Sequence, residues 1–114
     1  MSGIGNSLRL DHLYLPAQKP EWLAEWYAET FGFKAQAGFV ISGGVVLVFQ
    51  KGDPIPNSQG LPQFGFRAVS RDYVEQLAET LNVAVSTEAL FCSFQANDPE
   101  GYRFEVYWEG NVIA

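Results

Sequence analysis

A chain of 114 residues, 47% of them hydrophobic and 18% charged, suffices for one compact domain with its own core and is too short for two of ordinary size. It is too apolar for a disordered chain, and its longest apolar run, residues 45–49, falls far short of the ~20 residues that span a bilayer. Thirteen acidic residues against seven scattered basic ones give a net charge of −6, which excludes the concentrated positive surface that grips nucleic-acid phosphates.

The first seven residues carry neither a basic head nor a long apolar stretch, so no secretion signal is read there and the segment is expected to be flexible. The single cysteine, Cys92, excludes an internal disulfide and a cysteine-cluster metal site. It is read as a small hydrophobe rather than a nucleophile. A cytoplasmic protein with neither a membrane nor a nucleic-acid partner is the expectation.

In chain order, residues 8–15 (LRLDHLYL) alternate bulky side chains and predict a strand with Leu8, Leu10, His12 and Tyr14 on one face. Pro20 suits the first turn of a helix. Trp22, Leu23, Trp26, Tyr27, Thr30 and Phe31 then recur at helical spacing, and Gly32 ends the run. Residues 35–50 read as two strands joined at Ser42-Gly43-Gly44. Residues 52–63, rich in proline and glycine, read as a linker. The pattern then restarts with a strand over 64–69 and a helix over 71–81 capped by Ser70, which would bury Tyr73, Val74, Leu77, Ala78 and Leu81. Strands follow over 83–86, 90–95 and 102–108.

The tripeptide Ala-Glu-Thr closes both helices, at 28–30 and 78–80. With the repeated order of elements, it predicts an internally duplicated βαβββ unit. Unit one spans 8–51 and unit two 64–109, within one domain over 8–114. The expected class is α+β, two βαβββ units forming curved mixed sheets around a cleft, with one helix covering each sheet.

Three pieces of sequence carry a family resemblance: His12 opening the first unit, Trp26-Tyr27 with Phe31-Gly32-Phe33 at set distances after it, and Asp98-Pro99-Glu100-Gly101 followed by Tyr102-Arg103-Phe104-Glu105. On these the chain resembles the vicinal oxygen chelate superfamily, which includes glyoxalase I, bleomycin-resistance proteins and extradiol dioxygenases. Metal-dependent members resemble one another in four ligand positions, one on the first and one on the last strand of each unit. The resemblance carries the first to His12 and the last to Glu105. It carries the second into residues 45–49, which offer only hydrocarbon, with Gln50 the nearest polar side chain. The third falls on Phe64, with Gln63 beside it. One histidine in the whole chain cannot supply a two-histidine facial site, and two ligands hold a divalent metal weakly. No cofactor is expected, with a divalent metal as the minor alternative.

His12 and Glu105 allow three readings: an acid–base pair, a hydrogen-bonding handle for a ligand, or a satisfied structural pair. If Glu105 faces the cleft, strand alternation sends Arg103 and Tyr107 there too, and Phe104, Val106 and Trp108 to the other side. Phe64 and Phe66 share a parity and are expected beside Glu105. The ligand-binding candidates are therefore His12, Phe64, Phe66, Arg103, Glu105 and Tyr107, and no catalytic residue is assigned beyond His12 and Glu105. Asp98 is read as a turn residue.

An aromatic concavity with a carboxylate suits a flat or cationic molecule. The leading expectation is a metal-free small-molecule binder, similar to the antibiotic-sequestering resistance proteins. The alternative is a lyase or dioxygenase of the same superfamily, using a divalent metal or the His12/Glu105 pair. A third reading is a module whose exposed aromatics serve assembly. The resemblance also implies a homodimer.

Overall fold

The computed structural model describes residues 7–110. The expected flexible segment 1–7, apart from Ser7, and residues 111–114 lie outside the described residues. The chain divides into two compact units, Met1–Pro54 and Ile55–Ala114.

In the first unit, β1 (His12–Ala17) leads to α1 (Pro20–Phe31), followed by β2 (Lys34–Gln36), β3 (Phe39–Ser42) and β4 (Val45–Lys51). The sheet order is β1-β4-β3-β2, with β1 parallel to β4 and the other neighbours antiparallel. Pro20 starts the helix where a missing N–H costs nothing. Gly32 ends it in the left-handed region at φ 77°, its N–H bonded to the Ala28 carbonyl. Gly43, at φ 58°, makes the turn between β3 and β4.

Helix α1 buries Leu23, Ala24, Tyr27 and Phe31. Val40, Leu47 and Phe49 are buried on the sheet, and Tyr27 stacks on Phe49 with ring centroids 5.7 Å apart. Trp22 departs from the expected stripe and is 53% exposed. It falls about 100° around the helix from Leu23, at the border of the buried face.

The expected first strand begins late. Leu8 and Leu10 are 79% and 63% exposed, and β1 starts only at His12. The cause lies in its partner. His12 is in register with Val46, so residues upstream of Asp11 would need a β4 that extends back beyond Val45, where the chain has already turned. Where two strands were expected over 35–50, the structure has three, because Lys34–Gln36 pairs with β3 as a short edge.

The second unit repeats the plan: β5 (Phe64–Arg67), α2 (Arg71–Leu81), β6 (Ser86–Glu88), β7 (Phe91–Asn97) and β8 (Arg103–Glu109), in the sheet order β5-β8-β7-β6. Ser70 caps α2 as expected, its Oγ accepting from the Tyr73 N–H at 3.2 Å. Val74, Leu77 and Ala78 are buried, whereas Tyr73 is exposed and Leu81 half-buried, both at the edge of the stripe. The strand expected over 83–86 forms at Ser86–Glu88 instead.

The Ala-Glu-Thr repeat falls at the same place in both helices. The Ala28 carbonyl accepts from the capping Gly32 N–H, and the Ala78 carbonyl accepts from the capping Asn82 N–H. Equal element order, equal sheet order and equal caps give the two units one architecture, and the fold is α+β with two four-stranded mixed sheets.

The proline-rich segment is held at several points. Gly52 N–H donates to the Ala17 carbonyl of the first unit. In the second unit, Ile55 N–H donates to Tyr102 Oη at 3.1 Å and Gln63 N–H to the Arg103 carbonyl at 2.6 Å. Asp98 is a turn residue: its buried carboxylate accepts from the Glu100 and Tyr102 N–H groups. Among the described residues no helix is long and apolar enough to cross a membrane.

Candidate functional site

Alternation and register decide what each sheet shows on the side away from its helix. On β8, Phe104 and Val106 are buried, while Arg103, Glu105 and Tyr107 are half-buried on the opposite face. The buried residues of β7, namely Cys92, Phe94 and Ala96, pair with Trp108, Val106 and Phe104, so they share the face against α2. The other face therefore carries Arg103, Glu105 and Tyr107, together with Asn97, Gln95, Ser93 and Phe91 of β7. The parity expected for β8 holds.

The expectation for β5 does not. Phe64 and Phe66 are in register with Phe104 and Val106, which places both on the helix side. Their rings lie 5.5 Å apart, and the Phe66 ring lies 6.0 Å from that of Phe104. The residues that share the open face with Glu105 are Gly65, directly across from it, and Arg67, across from Tyr107. Alternation within β5 could have yielded either answer. Only the pairing with β8, a long-range relation, fixes which one occurs.

Two polar arrangements organise this open face. The Arg67 guanidinium stands 5.6 Å from the centre of the Tyr107 ring, which stacks at 6.0 Å on Phe91. Arg67 is held there by a bond from its terminal nitrogen to the Glu109 carbonyl at 3.1 Å. The guanidinium and the two rings together make a partly rigid aromatic platform. Beside it, Arg103 turns toward β7, where Nε donates to Gln95 Oε1 at 2.8 Å and Nη1 to Asn97 Oδ1 at 3.3 Å. Glu105 lies two residues on, between Gly65 and Gln95 in the sheet. Neither Arg103 nor Glu105 forms an ion pair among the described residues.

His12 belongs to the first unit, on the face shared by Tyr14, Val46 and Val48. The carboxylate that orients it is Asp11: Nδ1 lies 3.1 Å from Asp11 Oδ2, and the Tyr14 ring meets the imidazole edge-on at 5.2 Å. A carboxylate can only accept, so Nδ1 is the donor of this pair. The first unit also has a shallow depression of about 430 Å³ beside the start of α1, lined by Lys19, Trp22, Gly38, Phe49 and Lys51 among others. Its two lysines are engaged locally: Lys51 Nζ donates to the Gln18 carbonyl at 2.7 Å, and Lys19 Nζ lies 5.8 Å from the centre of the Trp22 ring.

No family model matches the sequence, and no curated protein matches it. Solved structures do. A glyoxalase-family protein from Bacillus anthracis superposes with a TM-score of 0.67 at 18% identity, covering 90% of this chain and 95% of that one. A glyoxalase/dioxygenase from Nostoc punctiforme gives 0.65 at 15% identity, covering 94% of each chain. A lactoylglutathione lyase from Agrobacterium tumefaciens gives 0.61 at 20% identity, covering 88% of this chain and 92% of that one. The chain has the glyoxalase–dioxygenase fold.

The positions to which the sequence resemblance carries metal ligands can be compared with the strand register. Across from His12 on β4 stands Val46, and across from Glu105 on β5 stands Gly65. Each unit thus pairs one donor with a residue that has none. Gln50 is on the His12 face, two pairs beyond Val46, but it is exposed and its amide oxygen is a poor ligand for a transition metal. No group of three or more His, Cys, Asp or Glu side chains able to hold a metal occurs among the described residues. Among the described residues, the positions across from His12 and Glu105 thus add no metal donor within either unit.

Sequence reasoning overlooked Arg67, Gly65, Phe91, Gln95 and Asn97. Gln95 could have been found, since it follows the parity of Phe91 on the strand expected over 90–95, whereas Asn97 lies beyond that strand's expected end. Arg67 and Gly65 could not be assigned without the β5–β8 register.

Proposed function

We propose that the open face of the second sheet binds a small cationic or aromatic molecule without a metal, in the manner of the antibiotic-sequestering resistance proteins that the sequence resembles. The observation that supports this is the Arg67–Tyr107–Phe91 platform beside a half-buried Glu105 that has no ion-pair partner among the described residues. A flat ring stacks on such a platform, and a positive group beside it finds a carboxylate. His12 already has Asp11 as its carboxylate, so binding is favoured over the acid–base reading.

The test is a thermal-melt screen of aromatic amines and their neutral isosteres, run with chelator present throughout. Binding to the folded state alone raises the melting temperature by mass action. The proposal expects shifts with the amines that exceed those with the isosteres and vanish in Tyr107→Ala. Equal shifts for both series, or shifts that need added metal, would overturn it.

A further inference from the structure

Gly65 occupies the interior of a strand, where glycine weakens pairing and offers nothing to pack. Its backbone does not require it: φ is not positive, and the three atoms nearest a Cβ at this position would all be those of Glu105, at 3.7–4.0 Å. These are ordinary contact distances, so an alanine would fit. What the glycine provides is open space on the β5 side of the Glu105 carboxylate. Glycine in a strand interior often marks a place where a ligand approaches closely.

On the other side of that carboxylate stands a cation turned away from it. Arg103 and Glu105 are two residues apart on one strand and one face, about 6.7 Å between Cα atoms, close enough to pair. They do not. Arg103 instead spends two of its five donors on Gln95 and Asn97. The guanidinium is thereby fixed in place, with three donors remaining and no carboxylate bound to it among the described residues. Among the described residues the face thus presents one anion without an ion-pair partner, Glu105, and two cations without one, the pre-oriented Arg103 beside it and Arg67 at the aromatic platform. A ligand with a single charge would cover both Glu105 and Arg103 and compensate only one, leaving the other desolvated without a partner. A ligand with both charges compensates both.

From this we infer that the ligand is a small aromatic zwitterion: its cationic group enters the space left by Gly65 against Glu105, its acidic group meets Arg103, and its ring lies on Tyr107. The inference rests on the binding reading above and narrows its ligand class.

Calorimetric titration of the full chain with tryptophan, tryptamine and indole-3-propionate tests it, because the three share one ring and differ in charge. Tryptophan is expected to bind at least tenfold more tightly than either relative. Arg103→Gln should remove its advantage over tryptamine, and Glu105→Gln its advantage over indole-3-propionate. Gly65→Val should weaken tryptophan and tryptamine while leaving indole-3-propionate unchanged. A merely structural role for these residues would weaken all three probes alike and overturn the inference. Should a variant fail to fold, the ranking on the unaltered chain decides. Tryptamine binding as well as tryptophan would overturn the zwitterion and leave the cation-binding reading intact. No binding by any indole would overturn both.

Discussion

Ile55 and Tyr102, 47 residues apart, are joined by one hydrogen bond: the Ile55 N–H donates to Tyr102 Oη at 3.1 Å. The tyrosine follows the Asp98 turn and is fully buried, and the isoleucine opens the second unit. Its phenol anchors the start of this unit to the segment just before β8, and Tyr102→Phe would leave that N–H without its acceptor. We expect a loss of about 1 kcal/mol, read by urea unfolding at neutral pH. An unchanged midpoint would refute the anchor.

The same phenol makes stability depend on pH. Burial, with the nearby Asp98 and Glu100 carboxylates adding to it, raises its pKa above the usual 10.0, against a smaller opposing effect of the Ile55 bond. The unfolded state then loses its proton first as pH rises past about 10, so stability present below that pH is lost above it. Unfolding midpoints measured from pH 8 to 11 should fall more steeply in the unaltered chain than in Tyr102→Phe. Parallel curves would contradict this.

Phe66 and Tyr107 are expected to fail in opposite ways. Phe66 packs on the helix side with Phe104, so Phe66→Ala should cost about 2 kcal/mol of stability, less than a fully buried ring would. Tyr107→Ala should cost under about 1 kcal/mol and abolish aromatic binding instead. Chemical denaturation paired with the ligand screen reads both. A binding defect in Phe66→Ala at unchanged stability would show that the faces have been assigned the wrong way round.

Chelator should leave the melting temperature where it is. Val46 and Gly65 face His12 and Glu105 across their strands, so removing divalent ions takes away no ligand bond. A chelator-induced fall of several degrees, restored by one metal, would contradict the register argument.

A homodimer at micromolar concentration is the expectation for assembly. Leu8, Leu10, Tyr14, Trp22 and Ile41 are exposed in the first unit, and Ile55, Leu61 and Val69 in the second, apolar side chains that a second copy of the chain would cover. Sedimentation should give twice 12.7 kDa. A mass near 12.7 kDa would count against it.

What the sequence showed plainly was local. Ser70 and the 3.6-residue spacing after it located α2, and alternation on β8 assigned Arg103, Glu105 and Tyr107 to one face, because cap and period are written in neighbouring residues. What it hid was relational. The start of β1 depends on where β4 begins, and the side taken by Phe64 and Phe66 depends on a parallel pairing with β8, 40 residues away. A single-residue difference in that pairing reverses both phenylalanines, and nothing within β5 distinguishes the two.

The central claim is that the Glu105 carboxylate receives a positive ligand group on the open face of the second sheet. The most direct measurement is the affinity of tryptamine for the unaltered chain and for Glu105→Gln, with the unfolding free energy of both. Glutamine keeps the shape and removes the charge, together with its desolvation cost, so stability should change by about 1 kcal/mol or less. Affinity should fall by about 2 kcal/mol or more, roughly thirtyfold, because a desolvated charge partner is gone. A large loss of stability with unchanged affinity would contradict the claim and make Glu105 a structural residue.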